Sequence, residues 1–369
     1  MLSSFAPGRL ELIGNHTDYN EGFVLAFALN LGIALEGETR DDGRIHVINP
    51  EFGETTFDLS LIEKDPAAPW ANYVKGVLLQ LQQAGAPLGG FEMRLQSNLP
   101  TGAGMSSSAA VEVATALLVQ KLFNFEIGDM TDPSVRMGLA RLCRAAENDF
   151  VGVKCGILDQ ATSLLGKKDH AVFLDCRTEE AETVPLHPDY CFVVCHTGAT
   201  HSLLSSKYNA RRTECQDAVR VLRFKGLELQ TLRDVSAETL QKHAGDFRPQ
   251  VFQRAMHVAS ENGRVLAARE AMQAGDMRKL GALLCESHES SRDAFENSTQ
   301  YLDKLVEIAR SLPSCLGARL TGGGFGGATL SLVARADAEA FAAELADLYR
   351  KATAKEPRTW VVEAGDGAR

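Results

Sequence analysis

The sequence predicts a two-domain protein that mixes strands and helices, and three observations point to this class. Its 369 residues are 45% hydrophobic and 23% charged, a length and balance typical of two globular domains. An alternating strand pattern at 91–96 is followed by a glycine turn and a helix-prone run that reaches Phe123. Two short apolar strands, at 171–175 and 190–196, then precede a series of helices. We therefore expect an N-terminal domain over 1–168 and a C-terminal domain over 169–369.

Composition narrows the range of partners. The net charge is −10, from 38 basic and 48 acidic residues, and no run of lysine or arginine occurs, which argues against nucleic acid and anionic membranes as partners. The sequence has no secretory leader pattern and no apolar stretch of spanning length, so we expect a cytoplasmic protein that is a monomer or a weak homo-oligomer. The eight cysteines lack paired spacing and are predicted to be reduced core residues.

Residues 6–29 combine a polar cluster with apolar, strand-prone runs. Arg9, His16, Asp18 and Tyr19 fall within one glycine-punctuated loop. A single charged loop residue is usually solvated surface, but four hydrogen-bonding side chains between apolar strands suit a polyol ligand better.

The stretch from Leu99 to Leu118 predicts a phosphate site. Pro100 ends the preceding strand, and Gly102 and Gly104 permit backbone conformations that other residues resist. The serines at 106–108 are candidates to cap the helix that follows. A strand, a glycine loop and a helix N-terminus bring free N–H groups and a positive dipole end together, although a plain structural turn is the alternative. The Walker pattern is absent, which excludes a P-loop nucleotide hydrolase.

Two further stretches draw attention. Asp159 lies in an apolar run after the helical segment 133–150, and a carboxylate in such a run is buried with a partner or functional, because lone buried charge is costly. Gly322, Gly324 and Gly327 fit the G-x-G-x-x-G pattern, but residues 328–334 read as a strand rather than a helix. We therefore predict either a glycine-rich hairpin or a loop beside the nucleotide, and both can hold together.

These motifs resemble those of a known family. Pro100-Thr-Gly-Ala-Gly-Met-Ser-Ser-Ser-Ala-Ala is similar to the ATP-phosphate loop of the GHMP small-molecule kinases, and the rest of the chain resembles the galactokinase branch. The loop around Arg9, the segment Cys155-Gly-Ile-Leu-Asp-Gln and the glycine run after Thr321 match in order, and the resemblance spans about residues 5–335. It implies an α+β fold with a ribosomal-protein-like N-terminal domain, a ferredoxin-like C-terminal domain and an active site between them.

The resemblance also implies roles for individual residues. Asp159 would be the catalytic base at the sugar's C1 hydroxyl, and Arg9 would stabilise charge on the transferred phosphoryl group. Ser107 and Glu147 would hold Mg²⁺ that arrives with ATP. The sugar contacts it implies are Asn15, His16, Asp18, Gly156 and Tyr208. The nucleotide contacts it implies are Trp70, Gly102, Gly104, Ser106, Ser107 and Ser108.

Four positions depart from the family pattern. Glu11 replaces an asparagine, Ala26 and Lys154 replace prolines, and Asn15 replaces the glutamate that in galactokinases holds the sugar's C6 hydroxyl. We expect an ATP- and Mg²⁺-dependent sugar-1-kinase that converts galactose to galactose 1-phosphate. The departures leave open a kinase of a C6-modified sugar such as galacturonate. A catalytically silent regulator that binds sugar and ATP is a further alternative, against which the intact catalytic and metal-binding side chains argue.

Overall fold

A computed structural model describes residues 1–100, 102–199 and 204–369. Within them the chain forms strands β1 (Leu2–Ile13), β2 (Phe23–Arg40), β3 (Arg44–Asn49), β4 (Gly53–Asp58), β5 (Gly90–Ser97), β6 (His170–Asp175), β7 (Glu180–Pro185), β8 (Tyr190–His196), β9 (Cys315–Thr321), β10 (Ala328–Ala334) and β11 (Arg358–Val362). The helices are α1 (Asn72–Gln83), α2 (Ser107–Phe123), α3 (Pro133–Ala145), α4 (Leu158–Leu165), α5 (Leu204–Phe224), α6 (Ala237–Lys242), α7 (Pro249–Gln273), α8 (Met277–Ser290), α9 (Gln300–Ser311) and α10 (Ala338–Thr353).

The N-terminal half is built on a seven-stranded sheet around the long strand β2. The strand order is β4-β3-β5-β2-β6-β7, and β1 pairs antiparallel with β2 along nearly its whole length. β1 carries Arg9 and Glu11, so this pairing fixes their position at one end of the sheet. The alternating burial of β5 confirms the strand predicted at 91–96.

Helix α2 is the central helix of this half. Its alanine- and leucine-rich residues are buried on nearly every side, and it packs on β1 and β2 while α1, α3 and α4 surround it. Because α2 is held this way, its N-terminus and the loop before it are fixed against β1. The helix predicted to end at Phe123 does so.

The C-terminal half contains a four-stranded antiparallel sheet in the order β11-β8-β10-β9. Helices α5 to α9 separate β8 from β9, and α10 separates β10 from β11, which is the β-α-β-β-α-β order of ferredoxin-like domains. The expected ferredoxin-like C-terminal domain is therefore confirmed, and so is the strand expected at 328–334.

The first sheet continues beyond the boundary expected at residue 168. β6 pairs with β2, and β7 pairs with β6, so residues 170–185 belong to the N-terminal sheet. The strand at 171–175 therefore does not open the second domain. We propose a division between Pro185 and Tyr190, because that is where the chain leaves one sheet and enters the other.

The two halves share one apolar core. The largest cluster of buried side chains runs from β1 and β2 through α7 and α8 to β8 and β10, and Phe27 of β2 contacts Phe192 of β8 with ring centroids 5.7 Å apart. The last residues return to the N-terminal half, where Arg369 and Phe5 exchange two backbone hydrogen bonds of 2.9 Å. All eight cysteines are free thiols, but the predicted core position holds for only five, since Cys155, Cys285 and Cys315 are half-buried. No helix in the described ranges is both long and apolar enough to cross a membrane.

Candidate active site

A cavity of about 420 Å³ lies where the two halves meet. It is bounded by the end of β1 and the loop after it, the loop before α2, the start of α4 and the turn between β9 and β10. The predicted site residues that line it are Arg9, Asn15, His16, Asp18, Gly102, Gly104, Ser106, Ser107, Ser108, Glu147, Asp159 and Tyr208. Residues 150 positions apart are thus assembled on one surface.

Arg9 and Asp159 form an ion pair in this cavity. Arg9 Nε donates to Asp159 Oδ1 at 2.8 Å, and its NH1 group donates to the carbonyl of Gly104 at 2.6 Å. Burial lowers the pKa of Arg9, but the carboxylates of Asp159 and Glu11 outweigh this effect and raise it. The Asp159 side chain is 24% exposed, so the carboxylate is held on one side and open to the cavity on the other.

Ser106 plays a different part from the predicted helix cap. It occupies the N-cap position of α2 in a left-handed conformation (φ 53°) and makes no capping hydrogen bond. Its hydroxyl instead donates to Asp159 Oδ2 at 2.5 Å. The strained backbone aims the side chain at the carboxylate, and both oxygens of Asp159 are thereby engaged.

The loop before α2 keeps the geometry of an anion site. Gly102 and Gly104 adopt φ values of 75° and 67°, which favour glycine. The first N–H groups of α2 have no partner within the helix, and Ser107 and Ser108 stand beside them on the cavity surface. Thr101 of the predicted loop and residues 200–203 before Tyr208 lie outside the described residues.

Glu147 belongs to a buried acidic network. It lies in a π-helical turn, Ala146–Val151, and its Oε2 accepts from Gln160 Nε2 at 2.9 Å. The same amide donates to Glu112 Oε2 at 3.0 Å. Burial and then the Asp159 charge raise the pKa of Glu147 to about 7. Burial, and then the Glu147 charge, raise the pKa of Glu112 well above its usual value.

Glu147 and Ser107 fit a hard divalent cation. Glu147 Oε1 accepts no hydrogen bond from a described residue, and the Ser107 hydroxyl is exposed on the same cavity. One carboxylate and one hydroxyl suit Mg²⁺, which keeps several waters and phosphate oxygens among its ligands. The described residues contain no group of three or more His, Cys, Asp or Glu side chains able to hold a metal by themselves.

The amide of Asn15 is fully used inside the protein. Nδ2 donates to the carbonyl of Gly322 at 2.7 Å and to Glu11 Oε1 at 3.2 Å. Oδ1 accepts from Asn297 at 2.7 Å and from Ser291 at 3.4 Å. All four hydrogen-bonding positions are occupied, so the structure gives Asn15 no free group for the predicted sugar contact.

His16 is likewise engaged. Its Nε2 donates to the Gly323 carbonyl at 3.0 Å, which leaves Nδ1 to accept from the Tyr19 hydroxyl at 2.8 Å. Burial lowers the pKa of His16 to about 3, so the ring is neutral. The ring also stacks on Phe295 and Tyr208, with centroids 4.5 and 4.9 Å away. His16 therefore presents an aromatic surface, and the predicted hydrogen bond to a sugar would need one of these partners to leave.

Asp18 and Tyr208 keep polar atoms open to the cavity. Burial, together with the Asp159 charge, raises the pKa of Asp18 to about 7. The Tyr208 hydroxyl makes no hydrogen bond to a described residue. Gly156 acts behind them, because a Cβ at this position would lie 2.2 Å from Asp18 Oδ2. Gly156 thus shapes the site by fitting against Asp18 and does not line the cavity itself.

The glycine run 322–327 is a hairpin turn and also a wall of the cavity. It joins β9 to β10, and its carbonyls accept from Asn15 and His16. A Cβ on Gly324 would meet the Asn297 carbonyl at 2.3 Å, so the turn and the loop can approach only with glycine there. The glycine-rich hairpin is confirmed, and the place of this turn beside a nucleotide stays a prediction.

The predicted nucleotide contact Trp70 and Lys154, which departs from the family pattern, both lie outside the cavity lining. Trp70 is half-buried against the N-terminal core and does not line the cavity, whereas Tyr73, one helical turn later, does. Lys154 is exposed and donates to the Asn148 carbonyl at 2.7 Å, away from the cavity. Sequence alone does not distinguish which face of a short helical segment meets the ligand.

Sequence reasoning missed the support supplied by α7. Glu261 Oε1 accepts from the backbone N–H of Gly14 at 3.1 Å and of Asn15 at 3.3 Å, and His257 donates to the Asn15 carbonyl at 3.0 Å. Burial acts to raise the pKa of Glu261, but Arg264 and His257 lower it to about 2. The available signal was a histidine and a glutamate one helical turn apart on α7.

Comparisons with known proteins agree with this geometry. Three family profiles match: "Galactokinase galactose-binding signature" over residues 2–38, "GHMP kinases N terminal domain" over 72–167 and "GHMP kinases C terminal" over 268–351. The chain is 42% identical to a galactokinase of Chloroflexus aurantiacus, with 98% of this chain and 91% of that protein covered. It is 40% identical to a galactokinase of Thermotoga maritima, with 98% of each covered.

Solved structures give the same result. The fold matches Lactococcus lactis galactokinase complexed with galactose at a TM-score of 0.94 and 34% identity, covering 100% of this chain and 94% of that one. A mevalonate kinase aligns over 99% of both chains at a TM-score of 0.64 and 17% identity, which reflects the shared fold alone. With its full-length relatives, its three matching profiles and its assembled cavity, this chain belongs to the galactokinase branch of the GHMP kinase family.

Proposed function

We propose that the chain transfers the γ-phosphoryl group of ATP to the anomeric hydroxyl of galactose and releases galactose 1-phosphate. The observation that carries this proposal is the Arg9–Asp159 pair, held beside the loop that begins α2 and open to a cavity of sugar size. Family membership and full-length similarity to galactokinases support the same reaction.

Asp159 would align the attacking hydroxyl and receive its proton. Its two oxygens accept from Arg9 and Ser106, which fixes the carboxylate plane. Phosphoryl transfer passes through a loose transition state, so positioning and charge neutralisation provide most of the rate enhancement. A carboxylate fixed on its protein side and open on its cavity side suits that task.

Arg9 would stabilise the charge that develops on the transferred group. Its guanidinium is anchored by Asp159 and by the Gly104 carbonyl, so it needs little reorganisation during the reaction. Gly104 belongs to the same loop that would receive the phosphates of ATP at the N-terminus of α2. Two hydrogen bonds thus connect the pair to this loop: Arg9 donates to the Gly104 carbonyl, and the Ser106 hydroxyl donates to Asp159.

Ser107 and Glu147 would hold Mg²⁺ together with the nucleotide. The bound cation neutralises charge on the β- and γ-phosphates. Asp18 and Tyr208, whose polar atoms are open to the cavity, would bind sugar hydroxyls. Tyr73 would border the nucleotide side, near Glu147.

The test is a steady-state assay with purified protein, ATP, MgCl₂ and galactose, with ADP and sugar phosphate as readouts. We expect galactose-dependent ADP formation that stops when EDTA is added. Asp159→Asn should lower kcat by roughly 10²-fold or more and leave the galactose dissociation constant within about tenfold, because a base acts mainly in the transition state. ATP binding without turnover of galactose would instead support the silent regulator.

A further inference from the structure

The cavity contains a carboxylate whose role the proposed reaction does not use. Glu11 lies on β1 two residues after Arg9, so both side chains leave the strand on the same side. It is only 4% exposed, yet it lines the cavity. Because desolvating a charged group is costly, a buried carboxylate in a binding cavity is expected to have a partner or a function.

The two oxygens of Glu11 have different surroundings. Oε1 accepts from both terminal nitrogens of Arg319 at 3.1 Å and from Asn15 Nδ2 at 3.2 Å. Oε2 accepts no hydrogen bond from any residue in the described ranges. Three donors therefore fix the carboxyl group by one oxygen and leave the other as an acceptor for a ligand.

The charge of this carboxyl group restricts what it can accept. Burial raises the pKa of Glu11 above its usual value, although Arg319 and Arg9 act against this rise. The geometry supports the anionic form, because fully buried Arg319 donates to Oε1 with both terminal nitrogens and requires a counter-ion. An anionic carboxylate accepts a hydrogen bond from a hydroxyl and repels a second carboxylate at the same place.

The neighbouring amide cannot take this role. Asn15 is saturated by four protein partners and in turn helps to hold Glu11. Relative to the galactokinase signature, positions 11 and 15 exchange asparagine and glutamate, so the cavity keeps one carboxylate and one amide with their places reversed.

We propose that Glu11 is a specificity-determining residue that accepts a hydrogen bond from one hydroxyl of the sugar through Oε2 and excludes sugars that carry a carboxylate there. Asn15 is a positioning residue that orients Glu11. This inference deepens the proposed function and rests on it, because it names the side chain that selects a neutral hexose over a uronic acid.

The experiment compares wild type with Glu11→Gln on galactose, on each monodeoxygalactose that keeps its anomeric hydroxyl and on galacturonate. In wild type, we expect one monodeoxy sugar to lose at least about tenfold in kcat/KM relative to galactose, and galacturonate to lose more. Glu11→Gln should lower kcat/KM for galactose by about tenfold or more. For the sugar that lacks the recognised hydroxyl, the two proteins should agree within about threefold, because the interaction is already absent.

A second variant covers the possibility that Glu11→Gln does not fold. Glu11→Asp keeps the charge beside Arg319 and retracts the oxygen by one methylene, so the same single hydroxyl should lose its effect. The matched control is Asp175→Asn, which removes a carboxylate that is paired through both oxygens with Arg233 and does not line the cavity. It should lower the melting temperature and affect all the sugars equally.

Each outcome has a distinct meaning. If wild type fails to phosphorylate galactose, the proposed function is wrong. If wild type phosphorylates galactose and its kcat/KM for galacturonate is within about threefold of that for galactose, the Glu11 inference is wrong and the proposed reaction stands. The same conclusion follows if Glu11→Gln and Glu11→Asp reduce kcat/KM equally for every sugar.

Discussion

At the scale of single residues, the site depends on how one carboxylate is held. Asp159 is tied to Arg9 by one oxygen and to Ser106 by the other. Ser106 adopts the left-handed backbone conformation that a serine normally avoids, and no helix-capping bond compensates for it. The strain is therefore associated with the orientation of Asp159 and not with the stability of α2.

Ser106→Ala should consequently affect catalysis more than folding. We expect kcat to fall by about tenfold, because Asp159 loses one of the two donors that orient it. The free energy of unfolding should change by less than about 0.5 kcal/mol. The measurements are steady-state kinetics and urea unfolding.

The matched control is Asp132→Ala, which removes a true cap. Asp132 accepts from the Ser134 N–H at 2.8 Å at the start of α3, and it does not line the cavity. It should cost about 1 kcal/mol of stability and leave kcat unchanged. The interpretation of Ser106 fails if Ser106→Ala behaves like this control.

At the scale of elements, helix α7 of the C-terminal half fixes a loop of the N-terminal half. Glu261 receives two backbone N–H groups, the Ser287 hydroxyl and Arg264, and it is fully buried. Helix α7 thus binds the backbone of the loop from Gly14 to His16, while the carbonyls of the glycine turn 322–327 bind the side chains of Asn15 and His16. The shape of the sugar site therefore depends on a helix that lines none of it.

Glu261→Ala should destabilise the protein and weaken sugar binding selectively. It leaves Arg264 unpaired and two backbone N–H groups unsatisfied, so we expect a loss of about 3 kcal/mol or more. KM for galactose should rise more than KM for ATP, because the loop belongs to the sugar side. The control is Glu289→Ala, which removes a half-exposed pair with Arg310 and should change stability by less than about 1 kcal/mol. Equal increases in both KM values would argue against this role of α7.

At the scale of the whole molecule, the cavity between the two halves contains carboxyl groups whose ionisation is unfavourable in the absence of ligand. Asp18 and Glu147 both have a pKa raised to about 7, and the pKa of Glu112 is raised well above its usual value. An acid whose folded pKa exceeds its unfolded value stabilises the fold below the unfolded pKa, and this stability is lost as the pH rises through the folded pKa. Asp18 and Glu147 therefore each contribute less stability to the ligand-free protein at pH 8 than at pH 5.

We expect this loss to be on the order of 2–3 kcal/mol for each of the two groups. Thermal unfolding of ligand-free protein at several pH values measures it, with Asp18→Asn and Glu147→Gln as variants. Each variant should be less sensitive to pH than wild type and should gain relative stability as the pH rises. MgATP should restore more stability at pH 8 than at pH 6, since a cation favours ionised Glu147. Variants whose stability falls with pH as steeply as that of wild type would contradict the raised pKa values.

The sequence alone determined the local elements and the chemistry-bearing motifs. The strand at 91–96, the helix ending at Phe123, the hairpin strand at 328–334 and the isolated Asp159 follow from short-range periodicity, glycine placement and the cost of burying charge. These depend on neighbours within a few positions, which is why they could be predicted.

The tertiary structure decided which polar groups remain free. The hydrogen-bonding groups of Asn15 are occupied by distant residues such as Asn297 and Gly322, whereas Glu11 keeps one oxygen without a donor among the described residues. The fold also directs the Ser106 hydroxyl to Asp159 and adds β6 and β7 to the first sheet. A hydrogen-bonding group can be satisfied by any partner that the fold brings within 3 Å, and that pairing depends on the packing of distant segments, which no local pattern encodes.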